Sequence, residues 1–158
     1  MRRHLTILSA LALISLLAVV YFSQGKLAEP LKLQPKNPNV VTMGKDIYDQ
    51  QCAVCHGAKL EGQPNWRQRL PSGRLPAPPH DATGHTWHHP DNLLLQITKF
   101  GPGYAAGPDY ESDMPGYEDI LSDAEIIAAL SYIKSTWPSQ IQAKHDVINK
   151  RFEASQNK

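Results

Sequence analysis

At 158 residues the chain has room for one domain, against a prior of roughly 100–200 residues each. A formal net charge of +1 leaves no general attraction to nucleic acid, and a hydrophobic share of 41% excludes disorder throughout. Thirteen prolines and ten glycines point to long irregular connections between whatever elements form.

Arg2 and Arg3 stand ahead of an uncharged, mostly apolar run over residues 5–22. These 18 residues fall within the roughly 17–25 that a membrane-crossing helix needs. Positive charge before the run keeps the N-terminus in the cytoplasm and sends the rest outward. A cleaved signal peptide is the alternative. Its apolar core normally runs about 7–15 residues and closes on a small-x-small site. The stretch VVYFSQGKLAEP contains no good Ala-x-Ala. The sequence therefore predicts an uncleaved anchor over residues 1–25 and an exported remainder in either case. Residues 26–40, with Pro30, Pro35 and Pro38, read as a semi-rigid spacer.

A helix is predicted over residues 43–51, with Thr42 as N-cap. Gly44 and Tyr48 are i and i+4 on one face, and Gly44 permits another helix to approach closely. QCAVCHG follows, holding Cys52 and Cys55, the two cysteines of the chain, and His56. C-x-x-C-H is the signature of covalent c-type haem attachment. Two thiols at i and i+3 share a face and reach two vinyl groups of one porphyrin, while the next imidazole reaches the iron. A redox-active thiol pair would require β-α-β patterning around the motif, which is not seen. A structural zinc site needs four ligands, and there is no second cysteine pair, although His80, His85, His88 and His89 are available.

The pattern Gly44, Tyr48, Cys52-Ala53-x-Cys55-His56-Gly57 resembles the N-terminal helix and haem motif of the class I, mono-haem cytochromes c. The resemblance spans about residues 41–138. It implies an all-α fold of about four short helices around one covalently attached haem c per chain, here preceded by a transmembrane helix in a membrane-anchored bacterial member. Pro78-Pro79 resembles the family's proline segment, where a carbonyl bonds the other nitrogen of the proximal histidine. The family often has an apolar residue where His80 stands.

A distal methionine is also implied. Met1 lies at the cytoplasmic end and Met43 in the helix leading to the attachment site, whereas Met114-Pro115 resembles the family's distal loop. Pro115 restricts Met114 to extended geometry. The expected haem-binding set is Cys52, Cys55, His56 and Met114, with His56 and Met114 on the iron and no catalytic residue. Histidine is the other common axial ligand, so His80, His85, His88 and His89 compete with Met114, and gap-filling in the core is the non-ligand role for a methionine. His85 and His88 would suit a metal site on a helix, but Gly84 and Pro90 bracket them, so a loop of ordinary hydrogen-bonding histidines is expected. Trp66, Arg67, Arg69 and Arg74 lie in a long basic segment that either bonds a haem propionate or forms a solvated loop.

PDNLLLQITK predicts a short helix over residues 90–99, with Asp91 and Lys99 matched to the dipole and Gly101 as the stop. The segment LSDAEIIAALSYIKSTWPS predicts the strongest helix: Ser122 and Glu125 form a capping-box pattern, Ile126, Ile127, Leu130 and Ile133 repeat at helical spacing, and Pro138 ends it. It resembles the family's C-terminal helix, which crosses the N-terminal one near Gly44 and Tyr48. Residues 139–158 form a polar extension, either an amphipathic helix packed on the domain or a partner-binding segment. Residues 41–138 carry 7 Lys/Arg against 12 Asp/Glu, and Asp109, Glu111, Asp113, Glu118 and Asp119 crowd around Met114. That is either a solvated loop or an acidic rim that steers a basic partner.

The expectation is a one-electron carrier in a membrane-associated respiratory chain, single-pass in the inner membrane with its haem domain on the periplasmic side. Its partners would be a respiratory donor and a terminal oxidase or reductase. The alternatives are a haem-bearing subunit of a larger oxidase or dehydrogenase complex, and a haem sensor with an open distal site.

Overall fold

The structure is a computed structural model that describes residues 32–156. The expected anchor over residues 1–25 and the start of the spacer lie outside the described residues. Within them the protein is all-helical, with no strand. In chain order the helices are α1 (Pro38–Gln51), α2 (Ala53–His56), α3 (Asp91–Phe100), α4 (Gly103–Ala106), α5 (Asp123–Ser135) and α6 (Ser139–Gln156), with a 3-10 turn at Thr86–His88. Among the described residues no helix is long and apolar enough to cross a membrane.

Helix α1 begins five residues before the expected start, and Thr42 is not its cap. Asn37 is the N-cap: its side-chain oxygen accepts from the backbone N–H groups of Asn39 and Val40. Pro38 occupies the first helical position, where its missing N–H costs nothing and its fixed φ suits the helix. The prolines that suggested a spacer therefore do not all break structure. The segment before α1 is stitched down too. The N–H of Leu33 donates to Asp91 Oδ2 at 3.0 Å, that of Gln34 donates to Ser131 Oγ at 2.8 Å, and the Leu33 side chain joins the core.

Helix α5 is buried on nearly every side, from Ile126 through Leu130 and on to Ile133. Its expected cap is present: the Glu125 N–H donates to Ser122 Oγ, and the Ser122 N–H donates to Glu125 Oε2 at 2.8 Å. Small residues Ala128 and Ala129 face Gly44 of α1 where the two helices cross. Tyr48 and Ile126 are wholly buried there, with Leu94, Leu95, Tyr117, Leu130 and Trp137 completing one apolar cluster. The helix-to-helix crossing therefore fixes the end of α1, from which the CAVCH turn leaves.

The C-terminal extension is a helix, α6, and it docks through polar groups. His145 is fully buried, and its Nε2–H donates to the His89 carbonyl at 2.8 Å. Asn149 brackets the start of α3: its side-chain oxygen accepts from the Asp91 N–H, and its amide donates to Asp91 Oδ1. The buried Lys134 reaches out to Asp146 at 2.6 Å. Nδ1 of His145 is buried without a partner, so protonation would place an N–H where nothing accepts it. Burial and the Lys134 ammonium both push the His145 pKa down, outweighing Asp91, the His89 carbonyl and Asp146, which favour the charged form.

A histidine held below its ordinary 6.5 binds fewer protons folded than unfolded. Its contribution to stability is complete above about pH 6.5 and falls as pH drops toward the lowered folded value. The protection factors of the α6 amides, with the intrinsic pH dependence of exchange divided out, should therefore fall on acidification through this window. His145→Phe, which fills the same space, should reduce the dependence. His85 and His89 are shifted the same way by burial, so part of the slope should remain. An unchanged pH dependence in His145→Phe would remove His145 from this account.

Candidate functional site

The CAVCH turn is nearly continuous with α1. The Cys52 N–H still donates to the Tyr48 carbonyl, while Cys55 and His56 both turn back to the Cys52 carbonyl. One helical turn thus carries Cys52, Cys55 and His56. Gly57 ends it at a φ of 80°, a conformation that favours glycine, and a β-carbon there would collide with the Glu61 side chain. The Tyr48 O–H donates to the Gly57 carbonyl at 2.8 Å, and the Gly62 N–H donates to the His56 carbonyl at 2.8 Å. Burial raises the Tyr48 pKa, keeping its hydroxyl a donor. The spacing of Gly44 and Tyr48 marked Tyr48 as a packing residue but gave no sign of this second role.

Cys52 and Cys55 are not joined in a disulfide. Cys52 is half-buried against the apolar cluster, and burial pushes its thiol up to about 11, with Cys55 adding to the shift. Cys55 is exposed. His56 is buried, and its Nδ1–H donates to the Pro78 carbonyl at 2.8 Å, the bond expected from the proline segment. A carbonyl can only accept, so the proton sits on Nδ1 and the lone pair on Nε2. Burial lowers the His56 pKa, although the Pro78 carbonyl opposes it. A neutral imidazole with its second nitrogen tied back is the form that binds iron. These residues fit a c-type haem: two uncrosslinked thiols three apart and one ligand nitrogen set in its tautomer.

Met114 is half-buried against the same apolar cluster that receives Cys52 and Ala53. Its loop is moored at several points. The Met114 N–H donates to Ser112 Oγ, and the Tyr117 N–H donates to the Lys99 carbonyl at the end of α3. The Tyr117 O–H donates to the Gln51 carbonyl at 2.9 Å, tying the loop to the residue before Cys52. Arg74 grips the loop from the other side, through Asp113 and through Glu111 at 3.6 Å. Neither Tyr117 nor Arg74 had a local sequence signal for these ties, because their partners are far away in the chain.

The competing histidines are placed elsewhere. The His80 ring stacks on His56, with centroids 4.0 Å apart and planes at 26°. A second ligand would have to approach a bound haem from the side opposite His56, whereas His80 lies against the face of the His56 ring. His85 stacks on Trp66 and meets the edge of His89, while His88 packs on Trp87. Among the described residues no group of three or more His, Cys, Asp or Glu side chains is arranged to hold a metal ion. The basic segment is engaged within the protein as well. Arg67 lies over the Trp66 ring at 4.1 Å, and Arg69 donates to the Gly73 carbonyl at 2.6 Å.

An all-helical domain with two uncrosslinked cysteines and a pre-set imidazole on one turn has the construction of a haem-attachment domain. The family model described as Cytochrome c matches residues 41–137, and the chain belongs to the cytochrome c family. With membership come covalently bound haem c and haem-based electron transfer. No curated protein and no solved structure matches the chain.

Proposed function

We propose that the protein is a mono-haem class I cytochrome c, a one-electron carrier anchored in the inner membrane by residues 5–22, with its haem domain on the periplasmic side of a respiratory chain. The observation that carries the site is the 2.8 Å bond from His56 Nδ1–H to the Pro78 carbonyl. It leaves Nε2 as a ligand atom within a turn that also presents both thiols. Haem supplies the ferric–ferrous couple when bound. Cys52 and Cys55 hold the macrocycle through thioether bonds, and His56 is the proximal ligand. Met114 is the distal ligand, favoured over His80 by the stacking of His80 on His56. Tyr117 and Arg74 keep the Met114 loop closed on the domain, where Met114 would hold a bound haem from the side opposite His56 and exclude small molecules.

The partners we propose are a respiratory donor and a terminal oxidase or reductase. Asp113 and Glu111 are engaged by Arg74, so they contribute less to an acidic rim than their number suggests. Among the described residues no ion pair involves Asp109, Glu118 or Asp119, and these carry the uncompensated charge that would steer a basic partner.

The test of the ligand set is Met114→Ala. Thioether ligation of ferric haem gives a weak far-red charge-transfer absorption. The variant should lose that band, bind carbon monoxide in the ferrous state and show a lower potential, because methionine raises the potential of haem relative to many ligands. A band that is absent from the wild type, or that survives the substitution, would eliminate Met114 as the ligand. Membrane placement is tested separately by locating the mature N-terminus. A soluble periplasmic protein beginning near Lys26 would show cleavage instead of anchoring.

A further inference from the structure

We propose that His80 is a positioning residue for the proximal imidazole, holding the plane of His56 by a stacked ring and thereby setting how strongly that imidazole donates to iron. The proposal rests on the reading of His56 as the proximal haem ligand.

Four observations converge on it. The His80 ring lies on the face of His56, 4.0 Å between centroids and 26° between planes, which is a stacked rather than an edge-on arrangement. The ring is itself held: its Nδ1 shares a 2.8 Å hydrogen bond with Thr86 Oγ1, and Thr86 is buried. Its backbone is pinned from two sides, since the His80 N–H donates to the Leu60 carbonyl and the Trp137 indole N–H donates to the His80 carbonyl, each at 2.8 Å. The His80 ring also meets that of Tyr48 in a T-shaped contact, centroids 6.2 Å apart at 73°. His80 is thus a flat ring in a fixed orientation, held by α5's end, the 3-10 turn and the loop after the CAVCH turn.

The Pro78 bond restrains His56 at Nδ1, but a single hydrogen bond still lets the ring librate about its Cβ–Cγ bond. A flat neighbour against its face removes that freedom. A π-face also carries partial negative charge. Ferric iron draws more electron density from its imidazole than ferrous iron does, so a negative face beside His56 stabilises the ferric state. Loss of the stacked ring should therefore raise the potential. Rotation of the ligand plane should also change the anisotropy of the ferric electron paramagnetic resonance signal, which reports how an axial imidazole is oriented.

The experiment uses the haem-loaded full chain, three test variants and His56→Ala as the control. His80→Leu keeps bulk but loses the flat face, and should broaden the ferric resonance and shift the potential upward. His80→Phe restores a flat face without ring nitrogens, and should return both toward the wild type. Thr86→Val keeps both rings and removes the bond that orients His80. It should broaden the same resonance, and it keeps the test open if His80→Leu does not fold. Wild-type values in His80→Leu, equal displacement in His80→Leu and His80→Phe, or an unbroadened signal in Thr86→Val would each overturn the proposal. If the wild type itself lacks a low-spin signal that His56→Ala abolishes, the reading of His56 has failed instead, and the two failures are told apart.

Discussion

Cys52→Ala combined with Cys55→Ala should yield a polypeptide that releases its haem completely into acidified organic solvent, while the wild type retains it through denaturation. The single variants should each keep haem by one remaining tether. Both thiols sit on one turn, three residues apart and uncrosslinked, so each is available for its own bond. Cys52 is also poorly suited to the rival role of one member of a redox-active pair. Reactive cysteines are exposed and have lowered pKa values. Cys52 is half-buried, and burial pushes its thiol up to about 11, leaving almost none of it as thiolate at neutral pH. Haem that extracts freely from the wild type would end the assignment of both residues. Retained haem in the double variant would point to an attachment other than the thioether bonds.

What the sequence could reveal depended on how local each cause was. The CAVCH turn and the helix after Ser122 were legible because their determinants lie within a few residues: a motif of five, a capping box and an apolar repeat. The start of α1 was misjudged for a physical reason. Pro38 looks like a break when prolines are counted, yet at the first helical position beside an Asn cap it starts the helix. The histidines show the opposite limit. His80, His85, His88 and His89 form one run in the sequence, and nothing local separates their roles. Their positions are set by distant partners: His80 by His56 and Trp137, His85 by Trp66, and the His89 carbonyl by His145. The same holds for the Tyr117 hydroxyl, whose acceptor at Gln51 is 66 residues away. The tail was only partly legible: Ile141, Ile148 and Phe152 form a sparse apolar stripe, but its centre is the buried His145, and α6 is also held by Asn149 and Asp146, polar ties whose partners are distant in the chain.

Gly44→Ala should destabilise the domain by about 3 kcal/mol, lowering Tm by roughly 10 °C, despite alanine's better helix propensity. In an exposed helix the exchange would gain about 1 kcal/mol. Here a β-carbon on residue 44 would lie 3.0 Å from the Ala129 nitrogen and closer still to the Ala128 carbonyl. Those atoms are backbone in the middle of α5, so no side chain can turn aside to make room. Relief requires α1 and α5 to separate, which opens the packing of Tyr48 and Ile126, both wholly buried at this crossing. Gly44→Val should be worse, since it adds two more methyl groups to the same contact. The consequence reaches the haem site, because Tyr48 lies one turn further along α1 and its hydroxyl holds the Gly57 carbonyl at the end of the CAVCH turn. Denaturant unfolding followed by far-UV circular dichroism measures the loss. A Gly44→Ala variant as stable as the wild type would mean that the two helices do not cross in contact at residue 44. In that event the placement of the CAVCH turn would rest on the hydrogen bonds of Tyr48, Tyr117, Gly62 and Pro78.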